Sequence, residues 1–140
     1  NSFIIYGRSD ATLNPGGVRL GTAEIYSVVE KYKIINECLA VGQNWKGDER
    51  IVLFVVLKKN LILNDKLKNQ IKSSIRKNAS PRHVPKIIIQ VTDIPKTKNG
   101  KLVELSVKNT IEGNEIKNLQ ALANPSVLEE FRNLKELKRD

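Results

Sequence analysis

The sequence predicts an α+β domain, with a small two-stranded hairpin, a three-stranded sheet and helices packed against that sheet. Three observations carry the expectation. Apolar runs of strand length occur at "ECLAVG", "IVLFVVL" and "KIIIQV", segments with apolar residues at three- and four-residue spacing lie between and after them, and glycine and proline punctuate the junctions. At 140 residues and 40% hydrophobic content, the chain has the size of one compact domain able to bury a core.

The elements follow in order. "SFIIYG" is β-prone, and "NPGGVRLG" supplies a turn with Pro15 and two glycines before a second short strand, which predicts a hairpin with a glycine-rich tip. Thr22 is placed to cap a helix in which Ile25, Val28, Val29 and Tyr32 share a face, and Glu24 in its first turn favours the helix dipole. "ECLAVG" and "IVLFVVL" read as two buried strands, and the polar "QNWKGDER" between them reads as a loop. Asn64 or Asp65 caps a second helix with Leu67, Ile71 and Ile75 on its apolar face, and Pro81 and Pro85 end it. "KIIIQV" is the third strand of the sheet. A lysine-rich turn then leads into a helix marked by Val103, Val107 and Ile111. In the tail, Asn124-Pro125 starts a helix carrying Val127, Leu128, Phe131 and Leu134 on one face.

The formal net charge is +9, and it is localised. Residues 66–101 hold ten lysines and arginines against one acid, Asp93, while the rest of the chain is formally neutral. A polyanionic or phosphate-bearing partner is implied. Single-strand nucleic-acid binders interleave aromatic platforms with their charges, and residues 66–101 contain no Phe, Tyr or Trp. A free-standing basic nucleic-acid or nucleotide-binding module nevertheless stays open as an alternative. No run approaches the roughly 18 apolar residues of a membrane span, and the expectation is a soluble, cytoplasmic chain. It opens inside a strand-like run without an initiating methionine, which suggests a fragment of a longer protein.

Several self-contained sites are excluded. "PKTKNGK" fails as a P-loop, because Pro95 stands where a glycine is needed and Leu102 follows Lys101 in place of Ser or Thr. "GGVRLG" lacks the glycine order of a dinucleotide turn. With His83 as the one histidine and Cys38 as the one cysteine, no zinc site of the usual ligands and no internal disulfide can form. Cys38 reads as a buried small hydrophobe and His83 as a surface or packing residue. Ser-His-Asp catalysis lacks any nucleophile-elbow sequence.

Two stretches together identify a family. "YGRSDATLNPGGVRLGTAEIY" and "DIPKTKNGKLVELSV", about 80 residues apart, resemble the paired signature motifs of the small C-terminal domain of adenylate-forming enzymes, the superfamily of acyl-CoA synthetases, peptide-synthetase adenylation domains and luciferase. Within it, "NASPRHVP", "KTKNGKLVELSVKN" and "LQALANP" are most similar to the acetoacetyl-CoA synthetase subfamily. The resemblance covers essentially the whole chain. It implies a lid domain over residues 1–112, a helical extension over 113–140 packed on or near it, and a large N-terminal domain outside this chain.

That resemblance also implies a reaction. A carboxylate attacks the α-phosphate of ATP to give an acyl-adenylate and pyrophosphate, and the CoA thiol then displaces AMP. The absent domain would hold Mg2+ and the acyl pocket; the lid would rotate between the steps. Lys101 matches the adenylation lysine. By charge alone it is one solvated lysine among ten, and the paired motif selects it. Asp10 matches the hinge. Arg8 would face the adenylate, Arg19 would contact phosphate or an acidic partner on the large domain, and Gly16 and Gly17 match the loop along which the pantetheine arm of CoA runs. Arg76 lines up with an arginine that meets the nucleotide phosphate of CoA. Lys96 and Lys98 read as solvated loop charges. The implied partners are the N-terminal domain, a small carboxylate, ATP and CoA, with no nucleic acid and no membrane.

Overall fold

In the computed structural model, residues 4–5, 12–95, 100–113, 125–132 and 134–138 are described. The elements are β1 (Ile4–Ile5), β2 (Thr12–Leu13), β3 (Leu20–Gly21), α1 (Ala23–Val29), β4 (Ile35–Trp45), β5 (Asp48–Leu57), α2 (Asp65–Asn78), β6 (Ile87–Gln90) and α3 (Gly100–Ile111). Short 3-10 turns cover Pro15–Gly17, Pro81–His83, Pro125–Phe131 and Lys135–Lys138. The α+β class is the one the sequence predicts. Strands β4, β5 and β6 make a mixed sheet, antiparallel between β4 and β5 and parallel between β5 and β6. A parallel neighbour needs a crossover, which α2 supplies.

Two local expectations change. "SFIIYG" does not form the small hairpin: Ile4 and Ile5 pair in parallel with Glu37 and Cys38 at the edge of the sheet, and the hairpin is made by β2 and β3. The stretch "QNWKGDER" is mostly strand, because β4 and β5 stay paired as far as Trp45 and Asp48. The turn there is two residues, Lys46 and Gly47, both with positive φ (52° and 81°). Positive φ at both central residues is the signature of the type I′ turn, whose twist lets the ladder run to its tip.

Alternation along β4 and β5 splits the core across the sheet. Cys38, Ala40, Ile51, Leu53 and Val55 face α1 and α2, where Ile25, Val28, Val29, Leu67, Ile71 and Ile75 meet them. The opposite set, Leu39, Val41, Val52 and Phe54, faces Val107 of α3 and Leu128, Phe131 and Leu137 of the tail. Phe54 and Phe131 meet edge to face, with centroids 4.8 Å apart and planes at 73°. Such a pair adds about 1 kcal/mol beyond its burial. Cys38 is fully buried as expected, and burial pushes its thiol well above the ordinary range.

Capping explains where α2 begins. Asn64 is extended, and its Oδ1 accepts from the Leu67 amide at 2.8 Å. Thr22 occupies the same position before α1 but makes no cap bond; its hydroxyl bonds Glu104 of α3 instead. The tail helix foreseen at Pro125 is a 3-10 turn, and it still buries Leu128 and Phe131. Among the described residues, no helix is long and apolar enough to cross a membrane.

Candidate functional site

The glycine turn is the first element of the site. Pro15 opens it, and Gly16 (φ 63°) and Gly17 (φ 80°) both occupy left-handed backbone, where a side chain is strained. A Cβ on Gly17 would point into open space, while one on Gly16 would lie 3.6 Å from Nη1 of Arg82. The tip of the β4–β5 hairpin holds this turn in place. The Gly16 amide donates to Oδ1 of Asp48 at 3.1 Å, and the Asn14 amide donates to Oε2 of Glu49 at 2.7 Å.

Beside the turn lies a cavity of about 520 Å3, lined among others by Gly16, Trp45, Arg50, Arg82 and Lys86. A second, of about 430 Å3, is lined by Lys72, Ser73 and Arg76 of α2 and by Pro85. Pro81, Val84 and Lys86 border both, so the two cavities adjoin and together form the groove between the glycine turn and the end of α2. The segment between them is rigidly seated. Pro81 fixes the start of a 3-10 turn, and the His83 ring is buried below it. Nδ1 of His83 lies 2.6 Å from Oγ of Ser80, and Nε2 stands 3.5 Å from the carboxylate of Glu24 on α1. His83 is thus a packing residue that leaves Arg82 pointing outward.

Arg50, also on the groove wall, is buried by charge pairing with dipoles and by stacking. Its Nε donates to Oε1 of Gln43 at 2.7 Å, its Nη2 donates to the Leu137 carbonyl at 3.0 Å, and its guanidinium lies 4.1 Å from the Trp45 ring centroid. Gln43 donates to the same carbonyl at 2.9 Å. The tail is therefore clamped onto the hairpin at Leu137.

On the other face of the sheet, α3 runs along β4 in the same direction. Near its start the Tyr26 hydroxyl, which accepts from the Ala40 amide at 3.1 Å, donates to the carboxylate of Glu104. Midway, Nζ of Lys108 donates to the Gly42 carbonyl at 2.5 Å and pairs with Glu49 at 3.4 Å and Glu112 at 3.1 Å. At the far end Glu112 accepts from the Asn44 amide at 2.8 Å. Burial pushes Glu104 up to about 7, against the opposing hydrogen bonds from Tyr26 and Thr22. Burial, and then Glu104 beside it, likewise raises the Tyr26 hydroxyl.

Lys101 is the second residue of α3. It therefore sits in the first turn of a helix that Gly100 opens; Asn99, the other residue of the turn from which it was expected to project, lies outside the described residues. About 15 Å of helix separates it from the end of α3 beside the groove. Gly16 and Arg76 line the groove, Gly17 is exposed beside Gly16 in the turn, and Arg19 is exposed between that turn and β3. The expectations for Arg8, Asp10, Lys96 and Lys98 lie outside the described residues. Sequence reasoning gave no role to Arg82, Lys86, Trp45 or Arg50. The available signal was a single arginine held between Pro81 and Pro85.

Comparison with known proteins bears on the whole arrangement. Residues 24–101 match the family described as AMP-binding enzyme C-terminal domain. The chain is 56% identical over 135 residues to acetoacetyl-coenzyme A synthetase of Rhizobium meliloti (strain 1021), covering 96% of this chain and 21% of that protein. It is 42% identical over 135 residues to acetoacetyl-CoA synthetase of Gallus gallus, with 96% and 20% covered. Among solved structures, acetoacetyl-CoA synthetase from Streptomyces lividans superposes with a TM-score of 0.78 at 38% identity, over 96% of this chain and 20% of that one. The chain thus spans about a fifth of the length of the relatives it matches. From the shared profile and the fold, the chain belongs to the AMP-binding enzyme C-terminal domain family.

Proposed function

We propose that this chain is the mobile lid of an AMP-forming acid-CoA ligase that converts acetoacetate, ATP and CoA to acetoacetyl-CoA, AMP and pyrophosphate. The observation that carries the reading is the separation of two differently equipped ends. The helix bearing Lys101 starts alongside the middle of β4, where Tyr26 links Glu104 to Ala40, and the groove with Gly16 and Arg76 lies toward its other end, by the β4–β5 hairpin tip. One surface cannot present both to the same cleft at once, so a lid that rotates about Asp10 between two half-reactions accounts for the arrangement.

In the adenylation step, a carboxylate must approach a triphosphate of like charge. The ammonium of Lys101, placed between them, offsets that repulsion and stabilises the in-line transition state. One such contact at ~4 Å and an effective dielectric of ~20 is worth roughly 4 kcal/mol. Arg8 and Arg19 would bind the adenylate side of the cleft. In the thioester step, the positive-φ turn at Gly16 and Gly17 lets the pantetheine arm pass close to the backbone, and Arg76 receives a phosphate of the nucleotide end. The N-terminal domain of the same polypeptide supplies the acyl pocket and Mg2+. The relatives are synthetases and lend no support to a nucleic-acid module.

The test is a Lys101→Ala variant of the full-length synthetase, assayed by ATP-pyrophosphate exchange with acetoacetate and by thioester formation from supplied acetoacetyl-adenylate. Exchange should fall by roughly 100- to 1000-fold, with thioester formation retained. Equal loss in both assays would remove Lys101 from the role given to it.

A further inference from the structure

We propose that Arg82 and Lys86 form a clasp for the diphosphate bridge of CoA, midway along the groove. The inference rests on the reading of the groove as the CoA path, and extends it to residues that reading does not use. CoA has a fixed order of chemistry: a thiol arm, a diphosphate, then a phosphorylated adenosine. The groove has a matching order. The side-chain-free turn at Gly16 and Gly17 stands at one end, Arg76 stands at the other, and Arg82 and Lys86 lie between. Lys86 borders both cavities, and Nη1 of Arg82 comes within 3.6 Å of the position a Cβ on Gly16 would occupy. A molecule with its uncharged arm on the turn and its terminal phosphate at Arg76 must carry its diphosphate past these two cations.

Their presentation is built rather than incidental. Arg82 is exposed, yet its neighbours are fixed: Pro81 sets the backbone, and His83 is buried between Ser80 and Glu24. Lys86 is held by its backbone, its amide donating to the Ile51 carbonyl at 2.9 Å and its carbonyl accepting from Nζ of Lys72 at 3.4 Å. Among the described residues, neither Arg82 nor Lys86 is engaged in an ion pair. The planar guanidinium presents two parallel donors, which suit the oxygens of a diphosphate. Arg82 and Lys86 therefore bind the part of CoA that free pantetheine lacks, and Arg76 binds the part that dephospho-CoA lacks.

The experiment uses the full-length synthetase and three thiol substrates: CoA, dephospho-CoA and pantetheine. For Arg82→Ala, the preference for CoA over pantetheine in kcat/KM should fall by roughly 10- to 100-fold through KM. The preference for CoA over dephospho-CoA should stay at its wild-type value. Lys86→Ala should show the same pattern more weakly, and Arg82→Lys should recover part of the loss. Arg76→Ala should instead erase the preference for CoA over dephospho-CoA, and the preference for dephospho-CoA over pantetheine should stay at its wild-type value. An Arg82→Ala variant that loses CoA and pantetheine activity equally, or loses neither, overturns the clasp. If Arg76→Ala and Gly17→Ala respond while Arg82→Ala does not, only the clasp fails. If all three leave every thiol substrate unaffected, the groove is not the CoA path and the underlying reading falls too.

Discussion

Replacing Glu104 by glutamine should remove a pH dependence from the stability of this chain. The carboxyl is buried against Tyr26 and Thr22 at the open edge of β4, and burial moves it from an ordinary 4.5 to about 7 in the folded state. A group whose folded value is raised binds more protons folded than unfolded, so its contribution is fully present below pH 4.5 and is lost as pH rises through about 7. The difference corresponds to about 3 kcal/mol across that window. Glutamine keeps an acceptor for the Tyr26 hydroxyl and carries no charge; any cost of seating its NH2 group is the same at every pH and drops out of the slope. Tyr26 and Cys38, which lie beside it, are both raised and stay neutral throughout, and the carboxylates of Glu30 and Glu37 that act on Cys38 are common to both proteins. Urea unfolding of the 140-residue chain and its variant from pH 4 to 8.5 measures the effect. The wild-type midpoint should fall relative to the variant by about 1 to 2 M as pH rises. Parallel midpoints over the whole range would refute the reasoning.

Other perturbations test the frame around the groove. Gly42→Ala would set a methyl 2.3 Å from the Glu49 carboxylate, and should cost about 1–3 kcal/mol by urea unfolding. Asn64→Ala deletes the cap on α2 and should cost about 1 kcal/mol by the same measurement. Phe131→Ala empties the edge-to-face contact with Phe54 and should cost about 3–5 kcal/mol; a loss below about 1 kcal/mol would show that the tail adds little to the core beneath β4 and β5.

What the sequence disclosed follows the range of the physics involved. Periodicity located β5, α2 and β6 and named their buried faces, because burial of Leu67, Ile71 and Ile75 against the sheet is written in their spacing. The stretch from Gln43 to Arg50 reads as a loop because its residues are polar, yet two of those polar side chains are buried. Their partner is the carbonyl of Leu137, some 90 positions on, and local pattern carries no trace of it. Arg82 was lost among ten basic residues for the same reason, since its significance depends on Gly16 lying beside it. "SFIIYG" has strand character that does not depend on its partner, which is why its existence was legible and its pairing with β4 was not. Lys101 was marked by the motif around it, but its place inside the first turn of α3 was not.

Glu49 joins the glycine turn to α3. One carboxylate oxygen takes the amide of Asn14 at the glycine turn and the other meets Lys108 on α3. On the proposed reading, these ties make the domain a lever: the stroke that swings the turn toward a neighbouring cleft must withdraw the start of α3 by the same movement. The order of the two half-reactions would then be kept by mechanical exclusion, with no separate signal to say which is under way.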